Sequence, residues 1–217
     1  MMSGEVTEIA LMTNGLGLGE TAAERNSSPL TSLIERAKTG DAAAFEQIVA
    51  FCQHKVISTA WRMLGNQEDA RDATQEVFLR AYKYLGSFKP DQDFAGWLYR
   101  ITINVCRDHG RKRSRYAHHD SFEAEREMGK LDSIASSENV EAAAIKSQER
   151  ALVMEALNTL SKKERAALVL RDLEGLPTEE VARILGSSAV TVRSQVASAR
   201  AKIKLYRDRV LNQRRRG

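Results

Sequence analysis

The stretch from Phe94 to Arg115, FAGWLYRITINVCRDHGRKRSR, puts rings, an amide and a dense run of cations on one short piece of chain. Projected on a helix, Phe94, Trp97, Leu98, Ile101 and Val105 form one apolar stripe, while Tyr99, Arg100, Ile103, Asn104, Arg107 and Arg111 project elsewhere. A tyrosine and an amide beside a row of guanidinium groups can stack on and hydrogen-bond to unstacked bases while the cations track phosphates. Base–aromatic stacking is worth about 1–3 kcal/mol, enough to help hold a strand open. A packed aromatic helix with a solvated basic end accounts for the same residues.

A second constellation lies near the C-terminus. PTEEVARILG, a short helical pattern stopped by Gly186, is followed by SSAVTVRSQVASARAKIK, a helix with a serine start. Val192, Val196, Ala199 and Ile203 recur at i, i+4, i+7 and i+11, the spacing that packs one face against Val181, Ala182 and Leu185. The other face presents Arg193, Ser194, Ala197, Ala201 and Lys204, flanked by Ser198 and Arg200. Two short helices joined by a glycine turn form a helix-turn-helix pattern, and small outward residues let the second helix sit deep in a major groove. Arg193 can reach guanine N7 and O6 or a phosphate; Arg200 and Lys204 suit phosphates. An ordinary helical hairpin with a charged surface is the plainer reading.

Other chemistry is sparse. Cys52 and Cys106 fit neither a disulfide framework nor zinc spacing, and Cys52 with His54 is half a metal site without a second pair. No P-loop, clustered metal carboxylates or nucleophile–base constellation occurs. Asp91 and Asp93 stand near the basic segment, yet carboxylates in turns are usually solvated. The expectation is therefore a protein without a catalytic site, cofactor or metal; a nuclease or phosphotransferase is the enzymatic alternative.

The elements that must position these residues are helical. Of 217 residues, 42% are hydrophobic and 29% charged, with only three prolines, a balance that favours an all-α protein. The net charge of +4 is modest, but basic residues crowd Arg107–Arg115 and Arg200–Arg216, as for a polyanion touched at two places. No apolar run is long enough for a bilayer, and no signal-peptide pattern opens the chain, which implies a cytoplasmic protein without membrane insertion.

Residues 1–28, rich in Gly, Ser, Thr and Asn, read as a flexible tail. Patterning over 29–115 begins with Leu33, Ile34 and Ala37, then Phe45, Ile48 and Val49 in a helix that Asp41 can cap. A helix from Gln67 to Leu85 buries Ala70, Ala73, Thr74, Val77, Phe78, Ala81 and Leu85. Its opposite face carries Asp72, Gln75, Glu76, Leu79 and Lys83, and an apolar Leu79 among them hints at a partner surface. Gly86–Asp93 is a turn-rich connection. Residues 116–146 form an acidic, flexible linker. The second domain, 147–211, includes Ser161 and Glu164 as a capping box and Gly175 as a helix stop; 212–217 is a basic tail.

At this point the residues carry a resemblance. DARDATQEVFLRAYKYL and SFKPDQDFAGWLYRITINVCRDHGRKR resemble conserved region 2 of the extracytoplasmic-function (ECF) group of sigma-70 family sigma factors. ALNTLSKKERAALVLRDLEGLPTEEVARILGSSAVTVRSQVASARAKIK resembles their region 4. The resemblance covers roughly Leu30–Arg115 and Gln148–Tyr206, in family order.

It implies a specificity subunit that binds core RNA polymerase, through the β′ coiled coil and the β subunit, and directs it to promoter DNA. Asp72, Gln75, Glu76 and Leu79 would face the coiled coil. The loop with Ser87, Phe88, Lys89 and Asp91, and the helix with Tyr99, Arg100, Asn104, Arg107, Arg111, Lys112 and Arg113, would bind the −10 element. Arg193, Ser194, Ala197, Ser198, Arg200 and Lys204 would bind the −35 element. Ala197 and Ser198 stand where some members carry larger aromatic or basic residues, implying fewer direct base contacts. Control by an anti-sigma factor is implied by family. The alternative is a stand-alone helix-turn-helix regulator, which leaves the aromatic–basic helix and the Leu79 face idle.

Overall fold

The computed structural model describes residues 29–89, 92–119 and 140–214, and among them the chain is helical without a strand. The expected N-terminal tail, most of the linker and Asp91 lie outside these residues. Eight α-helices follow in order: α1 (Pro29–Lys38), α2 (Ala42–Leu64), α3 (Gln67–Tyr84), α4 (Phe94–His119), α5 (Val140–Asn158), α6 (Lys162–Leu168), α7 (Thr178–Leu185) and α8 (Ala189–Arg214). Helix α4 runs past Arg115 and α5 starts ahead of residue 147, so helix extends into both ends of the span read as linker.

The boundaries follow from local chemistry. Asp41 accepts from the Ala44 amide at 3.0 Å and caps α2, as its place in the sequence predicts. Gly65 closes α2 in the left-handed region at φ 75°, and Asn66 then caps α3 by accepting from the Asp69 amide at 3.0 Å. Of the expected stripe of α3, Ala70, Ala73, Val77 and Ala81 are buried, with Leu85 in a 3-10 turn beyond, while Thr74 and Phe78 are half-buried. They pack with Ile34, Ile48, Val56, Phe94, Leu98 and Val105 into one core.

The second half is built on α6. Ser161 and Glu164 form the reciprocal capping box that their spacing predicts. The helix does not run evenly to Gly175, however. It widens into a π-helical turn over Val169–Leu173, with the Glu174 amide donating to the Val169 carbonyl at 2.9 Å. Gly186 then ends α7 at φ 62°, and the Ser188 hydroxyl accepts from the Thr191 amide at 3.1 Å to start α8. Val181, Ala182 and Leu185 meet Val192, Val196, Ala199 and Ile203 in a second core, the packing read from the i, i+4, i+7 pattern.

Helix α4 belongs to both cores. Phe94, Leu98 and Val105 face α2 and α3, while Tyr99 and Ile103, on another side of the helix, are buried against the second core. Burial of a residue such as Ile103 is worth about 1.5–3 kcal/mol, so this shared helix is a substantial tie between the two halves.

Candidate nucleic-acid interface

The loop ahead of α4 is anchored by rings. Phe88 is buried, edge-on to Phe94 at 5.4 Å and 5.3 Å from Trp97, which is itself 5.4 Å from Phe94. Phe88, expected among the −10 contacts of this loop, is thus held by burial beside two other rings. Ser87, whose hydroxyl donates to the Tyr84 carbonyl at 2.7 Å, and Lys89 remain exposed.

Tyr99, expected among the −10 contacts, is covered as well. It is 6% exposed, and its hydroxyl donates to Glu174 Oε2 at 2.7 Å. Burial, reinforced by the neighbouring Glu174 charge and this hydrogen bond, pushes its pKa upward, so the phenol stays protonated. Projection alone correctly separates Tyr99 from the Phe94 stripe, but cannot tell that another helix covers it. Asn104 and Arg100 are exposed; Arg100 donates to the Arg183 carbonyl at 2.7 Å. Arg107 is half-buried, and Arg111 and Lys112 are exposed at the end of the rail. The Arg113 side chain lies outside the described residues.

Glu174 is the hub that sequence reasoning misses. Thr59 donates to its Oε1 at 2.9 Å and Arg62 at 2.7 Å, while Tyr99 takes Oε2. The ion pair is well enclosed, with side chains 14% exposed for Arg62 and 8% for Glu174. The π-helical turn delivers Glu174 to this point, and nothing in the local sequence pattern signals that offset. Arg165 also joins the two halves, donating to the Met63 carbonyl at 3.2 Å and to the Leu157 carbonyl at 2.7 Å, and its burial lowers its pKa.

On α8, Arg193, Ser194, Ala197, Ala201 and Lys204 are exposed together, as the helical projection predicts. Arg193 lies 3.3 Å from Glu179, both well exposed, so the pair is loosely held. Arg200 is clamped by Asp172 through two bonds of 2.8 and 2.7 Å, which fixes its guanidinium beside the helix. Ser198 departs from the expected outward placement. It is half-buried and donates to Glu164 Oε1 at 2.6 Å, where Lys202 also donates at 2.8 Å. Lys202 and Ser198, followed by the Ser161 amide and hydroxyl, hold the Glu164 carboxyl well below its usual range, at about 2.

A separate surface lies on α3. Leu79 is 68% exposed, and with Asp72, Gln75 and Glu76 it borders a groove of about 470 Å³ closed on the other side by Asp108, His109, Arg111 and Lys112. Arg80 spans the floor, 2.7 Å from Glu76 and 3.3 Å from Asp108. The four residues read as a partner surface are therefore brought together, beside the basic end of α4.

Comparison with known proteins decides the family. The model for sigma-70 region 2 matches residues 48–116, and that for sigma-70 region 4 matches 150–203. The RNA polymerase sigma-H factor of Pseudomonas aeruginosa is 35% identical over 173 residues, covering 79% of this chain and 90% of that protein. The ECF RNA polymerase sigma-E factor of Escherichia coli K12 is 37% identical over 177 residues, with the same two coverages of 79% and 90%. The chain belongs to the sigma-70 family.

Its function is that of an RNA polymerase sigma factor in promoter-specific transcription initiation. Region 2 is thus built on α2–α4, and region 4 on α5–α8 with the helix-turn-helix at its end. Among solved structures, CnrH in complex with the cytosolic domain of CnrY superposes with a TM-score of 0.61 at 27% identity, over 82% of this chain and 96% of that one. No helix among the described residues is long and apolar enough to cross a membrane.

Proposed function

We propose that this sigma factor, an ECF-type member, docks on core RNA polymerase through the α3 groove. The four residues there are Asp72, Gln75, Glu76 and Leu79, and the partner is the coiled coil of the β′ subunit. In this reading α4 with its preceding loop captures the separated −10 strand, and α8 reads the −35 duplex. The observation that carries it is the division of exposed chemistry. An acid-flanked leucine lies on α3, an amide and cations on α4, and a small-residue face with Arg193 on α8. No helix-turn-helix regulator needs the first two.

The chain's part is binding, with no covalent step. Asn104 supplies a base-edge hydrogen bond, the α4 cations hold phosphates, and Tyr99 stacks on an unpaired base once region 4 has moved away from it. An anti-sigma factor is the regulator that the family resemblance implies, and CnrH, of similar structure, is seen bound to the cytosolic domain of CnrY. The protein acts beside polymerase in the cytoplasm.

Reconstitution with core polymerase tests the reading. Run-off transcription over genomic promoter fragments should yield discrete start sites that depend on this chain. Binding of promoter duplex by the free chain, without any polymerase-dependent transcript, would favour a stand-alone regulator instead.

A further inference from the structure

Resting on the reading of α8 as the −35 helix, we infer that Val190 is a specificity residue that recognises a thymine C5-methyl group in the −35 duplex. Val190 is 72% exposed, a large apolar side chain open to solvent in the first turn of α8. Its neighbour Val192 is wholly buried in the second core, which fixes the rotation of the helix. At roughly 100° per residue, Val190 and Ala197 fall within about 20° of each other on the side opposite Val192. Arg193 and Ser194, one turn on from Val190, are exposed on the same outward side. The helix start is held firmly, since Ser188 accepts from the Thr191 amide at 3.1 Å and Ser188 and Thr191 share a hydroxyl–hydroxyl bond of 2.8 Å.

In a helix-turn-helix, the first residues of the second helix approach base edges in the major groove. There the thymine methyl is the apolar feature, and apolar side chains are what recognise it. Arg193 offers hydrogen bonds to guanine, and Ala197 and Ala201 offer close approach. Val190 is the residue on this face with enough apolar surface to favour one base over the others by contact with carbon. The turn of Ser198 toward Glu164 strengthens the case, because it removes a polar group from the reading surface. Valine is not needed there for helix stability: alanine has the higher helix propensity at an exposed position.

The test uses holoenzyme reconstituted from the full chain. Selection from duplexes randomised over the −35 element should return a thymine at a position adjacent to the one sensitive to Arg193. Replacing that thymine by deoxyuridine removes only the methyl group and should weaken binding about fourfold, the effect of losing one buried methylene-sized group. Val190→Ala should cost a similar factor on the thymine duplex and erase the thymine–deoxyuridine difference; Val190→Ile should retain it. Circular dichroism melting of Val190→Ala should match the parent. A thymine–deoxyuridine difference that survives Val190→Ala at every position, or a selection that returns no thymine, overturns this inference while leaving −35 binding by α8 intact. Absence of any sequence-selective upstream binding by the parent holoenzyme overturns the −35 reading and this inference together.

Discussion

The Tyr99 hydroxyl donates to Glu174 across 2.7 Å, so an aromatic ring of region 2 lies buried under region 4 of its own chain. Glu174 simultaneously accepts from Thr59 and pairs with Arg62 at 2.7 Å. A −10 strand and the Glu174 carboxylate cannot occupy the same side of Tyr99, so strand capture by that ring requires the halves to part.

Energy transfer between labels at Gln53→Cys and Leu211→Cys will report this parting. The native thiols of Cys52 and Cys106 are buried, with pKa values pushed up to about 11 and about 12, so labelling favours the introduced cysteines. The free chain should show the short separation, and core polymerase with promoter the longer one. Glu174→Ala strands Arg62, a loss of about 3–5 kcal/mol for buried pairs, and should lengthen the separation in the free chain. An identical separation in free chain and holoenzyme would mean that no opening accompanies function.

Leu79 and Asn104 should separate two activities. Leu79→Ala removes a leucine that is 68% exposed, so its effect on stability should stay within about 0.5 kcal/mol. If the leucine is buried against polymerase, core affinity should fall at least tenfold, which corresponds to about 1.4 kcal/mol. Asn104→Ala should leave core affinity unchanged and slow open-complex formation, measured by permanganate reactivity of unpaired thymines. Loss of core affinity in Asn104→Ala would place that side chain at the wrong interface.

Much of this architecture is legible in the sequence because its signals are local. The Ser161–Glu164 capping box, the Asp41 cap, the Gly186 stop and the Val192–Val196–Ala199 stripe each depend on residues within a turn or two. The grouping of Asp72, Gln75, Glu76 and Leu79 beside one groove is legible for the same reason, since one helix carries all four. What periodicity cannot convey is which of two exposed-looking faces a distant element covers. Tyr99 and Ile103 are separated correctly from the Phe94 stripe, yet their burial depends on α7 and the π-helical turn, far along the chain. The bond from Ser198 to Glu164 is hidden similarly, because Glu164 lies on another helix.

Arg193 and Arg200 should differ in kind. Arg193 is loosely paired with Glu179 at 3.3 Å and free to reach a base edge, so Arg193→Ala should cost about 1–3 kcal/mol on the preferred −35 duplex and little on others. Arg200 is held by Asp172 in a two-bond clamp, and if it holds a phosphate its contribution does not depend on the bases. Arg200→Ala should weaken all duplexes alike and reduce the magnitude of the log K versus log salt slope by about 1. Titrations at several salt concentrations, with matched and scrambled −35 duplexes, distinguish the two. Sequence-selective loss in Arg200→Ala would reverse the assignment.

Glu164 should give region 4 a defined acid sensitivity. Lys202 and Ser198 hold its carboxyl at about 2, below the ordinary 4.5, so the folded state favours the ionised form. A group with a depressed folded pKa contributes stability that is fully present above its unfolded value and is lost as pH falls through the folded one. The contribution should therefore be constant at neutral pH, decline from about pH 4.5 downward and be spent near pH 2. Glu164→Gln lacks the titrating group, so urea midpoints of parent and variant should differ at pH 7 and draw together over that window. Lys202→Met, which removes the principal donor, should shift the onset of acid unfolding upward. A parent–variant difference that stays constant from pH 7 to pH 2 would show that the Glu164 charge does not stabilise the fold through this network.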